Sequence, residues 1–425
     1  MTARSNEVPR KVWDLKSLGT VTSPARFPPG SFVEEIWRIG KFCLTGYVGR
    51  HSIPGIEFPD DLRDRVPLGP TSTLEITIFD ELRHNAAAFR NGSAYGVGLY
   101  HGLITTIPEF AMALWARPEV APWIGDVSQL PPAEESGDIP TGLEWLEVER
   151  LLHSDDFSGA DQQQLLAATR TRSACNQRLV AAMDPVRRMA MQRSVEDAFR
   201  FIWLHEIGHV VWGHLDLVER GTGALGMSEL DDACGETFPP ALGQYLEFQA
   251  DRFAFGSVLG YRIRDLEAVS AGRGPRTPVP NLPTYTDLAT IAIIGCMVTQ
   301  LILGVNRRLQ GRESVVETHP PLWVRIGDMI NEARSQCGSV DVKGDPEAST
   351  NLQQLLQDRM DRAVGSILAS HPLLMGAFQG ALDELEAAQT ASAHPFDGSE
   401  SRWDAMVRPY HKFYRREGGG LALRD

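Results

Sequence analysis

The sequence predicts an α+β fold, predominantly helical, with one small sheet and a long helix that carries its most unusual cluster of polar residues. Three observations predict it. "TSTLEITIF", Thr71 to Phe79, alternates apolar and polar side chains as a half-buried strand does. "RSVEDAFRFIWLHEIGHVVWGHLDLVERG" is an extended helical run, apolar almost all round between Phe201 and Trp212. Most of the remaining long segments read as helices, among them the largely apolar eighteen-residue run "LATIAIIGCMVTQLILGV", Leu288 to Val305.

Residues 1–70 are rich in proline and glycine, with "PARFPPG" (Pro24 to Gly30) the clearest break, and are expected to be irregular. A polar helical piece should follow the strand at Thr71 to Phe79. "NGSAYGVGLYHGLITTI", Asn91 to Ile107, then reads as turn, strand and the start of a further element. The stretch from Pro118 to Asp138 is loop-like, and helices are expected from about Gly142 to Leu152 and from about Asp161 to Met191. Together, about 118–191 form an inserted helical segment within a domain spanning 71–345. Ser194, with Asp197 three residues on, marks the start of the long helix, and Gly221 or Gly223 its end. An acidic loop, Gly223 to Pro240, precedes a second helix, "ALGQYLEFQADRFAFGSVLGY". Residues 346–425 read as a helical unit with a flexible tail.

Composition limits what the chain does. A formal charge of −14 over 425 residues argues against a phosphate-backbone partner, which needs a basic face; Arg408, Lys412, Arg415 and Arg416 form a local basic patch that a solvated tail explains as well. The five cysteines are scattered without C-x-x-C spacing, so they give neither a disulfide framework nor a structural zinc site. "MTARSNEVPRKVWDLK" has no apolar run of a secretory signal, which makes the cytoplasm the expected compartment. Leu288 to Val305 contains Thr290, Thr299 and Gln300 and is read as a buried helix rather than a membrane span.

"HEIGHVVWGH", His205 to His214, carries the chemistry. On a helix His205 and His209 lie about 40° apart around the axis, so both imidazoles project from one face with the spacing that binds one zinc ion. Glu206 stands beside them, placed to act as general base toward a zinc-activated water. His214, nine residues after His205 and about 180° around a continuous helix, is expected to face away. With eleven histidines in the chain, chance supplies about 0.02 occurrences of H-E-x-x-H, so an incidental polar stripe is the weaker reading. A third protein ligand is required. Position 215 is Leu where H-E-x-x-H-x-x-G-x-x-H would need histidine, which removes that option. Glu247 in "YLEFQADRFA" is the preferred ligand, with Asp251 one turn on to fix a ligating histidine. Glu229, Asp231, Asp232 and Glu236 of the acidic loop are the alternative platform, and a solvated Glu247–Asp251 face is the third.

"LHEIGHVVWGH", "EFQADRFA" and "THPPLWVRI" together resemble the gluzincin peptidases of the HtpX and CAAX-prenyl-protease superfamily. "NGSAYGVGLYHGLI" is more loosely similar to their strand upstream of the active helix. Soluble gluzincins of the Lit type and the ImmA/IrrE regulators share the short "HEIGH" and E-x-x-A-D signals. The resemblance implies a zincin-like core, one zinc ion per chain held by His205, His209 and Glu247, Glu206 as general base, and Asp251 as the carboxylate behind a ligand. It also implies that His319 approaches the metal site, to steady an oxyanion or to cap the metal, and that Arg325 is an ion-pair partner. This chain lacks the family's multiple membrane spans, and a long segment separates its strand from its active helix.

The expected function is a soluble zinc metalloendopeptidase acting on a protein or peptide substrate. The strand at Ser93 to Tyr100 would accept an extended peptide by edge pairing, and the acidic loop would shield the site. A non-catalytic, zinc-stabilised binding module and a membrane-associated quality-control protease are the alternatives.

Overall fold

The computed structural model describes residues 21–22, 31–50, 65–67, 73–91, 94–130, 142–152, 176–222, 226–228, 240–270, 285–309, 325–330, 332–333, 354, 358–359, 362–367, 374, 414–417 and 420–423. Its α+β class, mostly helical with one small mixed sheet, is the one the sequence predicts. The principal helices are α1 (Phe32–Arg50), α2 (His101–Trp115), α3 (Glu144–Leu152), α4 (Pro185–Val211), α5 (His214–Thr222), α6 (Pro240–Ser270) and α7 (Tyr285–Leu309).

Strands β1 (Val21–Thr22), β2 (Arg65–Pro67), β3 (Thr73–Phe79), β4 (Ala86–Asn91), β5 (Ala94–Tyr100) and β6 (Gly226–Ser228) form the sheet. Its order is β1-β3-β5-β4-β6, with β2 also on β3. β3 runs parallel to β5, and β4 is antiparallel to both β5 and β6. Register places Leu74 opposite Tyr95 and Ile78 opposite Leu99. The alternating residues Leu74, Ile76 and Ile78 face the same core as Ala86, Ala88, Val97 and Leu99. A separate hairpin joins β7 (Tyr414–Glu417) to β8 (Gly420–Leu423).

Two expectations about elements are corrected. The polar stretch after β3 is a strand, β4, rather than a helix: "AAAFRN" is held between β5 and β6, and ladder pairing overrides the helix preference of its alanines. Within residues 1–70, Phe32–Arg50 is helical and packs on α4, burying Ile36, Cys43 and Leu44. The remaining undescribed part of 1–70 and most of 346–425 lie outside the described residues.

Helix α4 is the axis of the molecule, packed against α1, α2, α6 and α7 and against β4 and β5. It starts earlier than "RSVEDAF" suggests. Asp184 is the N-cap, its carboxylate accepting from Val186 N at 2.8 Å, and Pro185 occupies the first turn. Ser194 sits inside the helix, buried, where its hydroxyl accepts from Trp115 Nε1 at 3.0 Å and donates to Ile291 O at 3.2 Å. Asp197 is equally buried and receives Arg262 Nε at 3.0 Å on each oxygen. The apparent cap pattern therefore belongs to a joint between α2, α4, α6 and α7.

Helix α7 is the one described helix long and apolar enough to cross a membrane, and 94% of its most apolar window is buried inside the protein. Its polar side chains find partners there: Thr290 Oγ1 donates to Thr286 O, and Thr299 Oγ1 to Ala198 O.

Candidate metal centre

Helix α4 brings His205, Glu206 and His209 into the core, each no more than 2% exposed. The helix does not run through His214, as the sequence suggested. It ends at Val211, Trp212 is the C-cap, and Gly213 turns the chain with φ +69° before α5 begins at His214. A side chain at that φ is strained, so glycine permits the break.

Helix α6 packs along α4 and supplies Glu247 and Asp251, both buried. His205 Nε2 lies 3.0 Å from His209 Nε2 and 3.1 Å from Glu247 Oε2. Glu247 Oε1 is 3.5 Å from His209 Nε2. Among the described residues, this trio is the group of His, Cys, Asp and Glu atoms close enough to hold one ion. The solvated-face reading of Glu247 and Asp251 fails on their burial. Of the acidic-loop alternative, Glu229, Asp231, Asp232 and Glu236 lie outside the described residues.

Asp251 orients the first histidine. Its Oδ1 accepts from His205 Nδ1 at 2.9 Å, so in the neutral ring the proton sits on Nδ1 and Nε2 presents a lone pair. Gln300 Nε2 of α7 donates to the same carboxylate at 3.1 Å, and Arg325 donates from Nε at 2.5 Å and Nη2 at 2.7 Å. Burial pushes the Asp251 carboxyl up, but Arg325 and His205 outweigh it and hold it below the usual carboxylate range.

His209 is oriented by a different set. Its Nδ1 is 3.0 Å from His214 Nδ1, and His214 Nε2 is 3.2 Å from Gln249 Oε1. Burial above all, and then the neighbouring His209, lower the His214 pKa well below the ordinary histidine value, so that ring is neutral. The expectation that His214 faces away is corrected: the break at Gly213 folds it back onto the centre. The signal was legible in "WGH", since glycine after a helical run ends helices. Gln300 and Gln249 gave no comparable signal.

The consequence is electrostatic. Two imidazole lone pairs and a carboxylate converge in a buried volume, an arrangement that repels itself unless a cation stands among the three. Tetrahedral zinc with Zn–N near 2.05 Å separates its ligand atoms by about 3.3 Å. The observed 3.0, 3.1 and 3.5 Å bracket that spacing. Two nitrogens and one oxygen form a zinc donor set that leaves a fourth position for water or substrate. The residues therefore fit zinc.

Other expectations resolve differently. His319 lies outside the described residues. Arg325 is the ion-pair partner its position implied. The strand expected at Ser93 to Tyr100 is described as β5 from Ala94 on, and β3 and β4 flank it, so Ala94–Tyr100 is no edge for an extended peptide; the outer strand on the β4 side is β6. β6 is cut from the acidic loop itself; the rest of that loop, up to Pro240, lies outside the described residues. The two described cysteines are buried, Cys43 pushed up to about 12 and Cys296 also raised, chiefly by burial, so both thiols are unreactive. No family model, curated protein or solved structure matches this chain.

Proposed function

We propose that the protein is a zinc-dependent metalloendopeptidase of the gluzincin type, with a zincin-like core, acting in the cytoplasm on a protein substrate. The observation that carries this reading is the convergence of His205, His209 and Glu247 on one buried point, with Glu206 adjacent to His205 on the same helix. His205, His209 and Glu247 hold the metal, and Asp251 with Arg325 fixes the first histidine. Zinc bound there supplies an acidified water and polarises the scissile carbonyl. Glu206 takes the proton of the attacking water and returns it to the departing amine. A closed structural site would be completed by a fourth Cys or His ligand, and a buried glutamate in the helical position next to a ligand suits hydrolysis better.

Metal analysis of the purified full-length protein, together with cleavage of an unstructured test protein by wild type and Glu206→Gln, tests this. One zinc per chain in both forms is expected, with turnover lower by about 10²- to 10⁴-fold in the variant. Zinc without cleavage in either form would favour a metal-held binding module, and absence of zinc would end the proposal.

A further inference from the structure

We infer that His214 is a positioning residue that selects the tautomer of His209, through a neutral chain running from His214 to Gln249 and Tyr245. The inference rests on the zinc reading above and deepens it.

The chain can be followed proton by proton. Gln249 Nε2 donates to Tyr245 Oη at 2.7 Å, which turns the amide oxygen toward His214. That oxygen only accepts, so at 3.2 Å it takes the proton of His214 Nε2. With its proton on Nε2, the His214 ring has a lone pair on Nδ1. At 3.0 Å that lone pair accepts from His209 Nδ1. His209 then carries no proton on Nε2, the atom 3.0 Å from His205 Nε2 and 3.5 Å from Glu247 Oε1. Each step follows from the one before, and the last leaves His209 ready to ligate.

The opposite amide orientation would reverse every step. Gln249 would donate to His214, His214 would donate to His209 Nδ1, and His209 would carry its proton on Nε2, pointing into the centre. The placement of one amide on α6 thus decides whether an atom two hydrogen bonds away, His209 Nε2, can bind metal. The two ligating histidines are consequently held by unlike means. His205 is fixed by a charged group, Asp251 with Arg325, and His209 by a chain without formal charge. Gly213 makes this possible, because its φ of +69° breaks α4 and returns the His214 ring to the ring it would otherwise leave behind.

The test uses full-length protein. His214→Leu keeps approximate bulk and removes the acceptor, whereas His214→Asn puts an amide oxygen close to the place of Nδ1. Zinc affinity is read by competition with a chromophoric chelator, and the His209 tautomer by long-range 1H–15N spectra of metal-free, 15N-histidine-labelled protein. The Leu variant should bind zinc about 10- to 100-fold more weakly, the range for removing an outer partner of a ligating histidine. It should also lose the predominance of the Nδ1–H form of His209. The Asn variant should recover most of the affinity, and Gln249→Leu should shift the tautomer while leaving His214 in place. A wild-type His209 protonated on Nε2, or a Leu variant with unchanged zinc affinity and unchanged tautomer, would overturn the inference. A Leu variant that fails to fold leaves the decision to Gln249→Leu and the wild-type spectrum. If wild-type protein binds no zinc, the parent reading fails; if it binds zinc and His214→Leu binds it equally, only this inference does.

Discussion

Arg325 closes on Asp251 with both ends of its fork, Nε on Oδ2 at 2.5 Å and Nη2 on Oδ1 at 2.7 Å. Both side chains are buried, and the same carboxylate orients His205. The pair therefore ties residues 325–330 to α6 and, through His205, to α4.

Removing one member should be costly. Arg325→Met leaves a buried carboxylate with only His205 and Gln300 among its named partners, and the expected loss is about 3–5 kcal/mol. Arg325→Lys should recover a minor part, because an ammonium cannot reproduce the two-pronged geometry. Urea unfolding of both variants measures this. A loss below about 1 kcal/mol in Arg325→Met would mean that water reaches Asp251.

Metal removal should destabilise the fold, since the centre joins α4 to α6. Binding to the folded state adds RT ln(1 + [L]/Kd), about 2.7 kcal/mol at a free concentration of 100 Kd. Chelation should therefore lower Tm in wild type, readdition of zinc should restore it, and Glu247→Ala should respond to neither. A Tm indifferent to chelator in zinc-loaded wild type would dissociate the centre from the folding unit.

How much of this was legible beforehand depended on whether the signal was local. The spacing of His205 and His209, and of Glu247 and Asp251, is set by helix geometry within one segment, so their convergence could be read before any packing was known. The joint at Ser194 and Asp197 could not, because a cap pattern and a buried polar contact look alike until the partner helices are in place. β4 is not legible as a strand because its alanines favour a helix locally and only pairing with β5 and β6 decides otherwise. The spacing that turns His214 away holds only for one unbroken helix, and a single glycine at positive φ breaks it. In the sequence Gln300 only makes Leu288 to Val305 too polar for a membrane span, whereas in the fold α7 carries it onto Asp251.

Arg187 should be among the costliest residues to change outside the metal centre. Fully buried, it donates to the carbonyl oxygens of Trp115, Arg117, Val120, Ala121 and Ile124. Burial lowers its pKa to about 10, which leaves it charged at neutral pH. The guanidinium thus closes the turns that follow α2, adding to their own backbone bonds from Val120 N to Arg117 O and from Ile124 N to Ala121 O. Arg187→Met should lose about 3–5 kcal/mol by removing the guanidinium from all five oxygens, of which Arg117 O and Ala121 O keep the backbone N–H of Val120 and Ile124. Limited proteolysis should then cut first between Ala116 and Leu130, and cutting elsewhere with that stretch intact would show another support for it.

Two glycines should respond to alanine with opposite signs. A Cβ on Gly295 of α7 would stand 2.5 Å from Ser194 O and 2.9 Å from Asp197 Cβ, and the first of these is backbone that cannot swing aside. Gly295→Ala must therefore part α4 from α7, at a cost of about 1–3 kcal/mol. The same displacement would draw Gln300 away from Asp251, so zinc affinity should fall along with stability. Gly260, in the interior of α6, meets only Arg264 Nη2 at 3.9 Å, the far end of a flexible side chain. There, Gly260→Ala restricts the unfolded chain without a clash and should stabilise by about 0.4–1 kcal/mol. Paired urea titrations read both changes against wild type. Equal midpoints for Gly295→Ala and wild type would show that α4 and α7 leave more room at Gly295 than a Cβ 2.5 Å from Ser194 O implies.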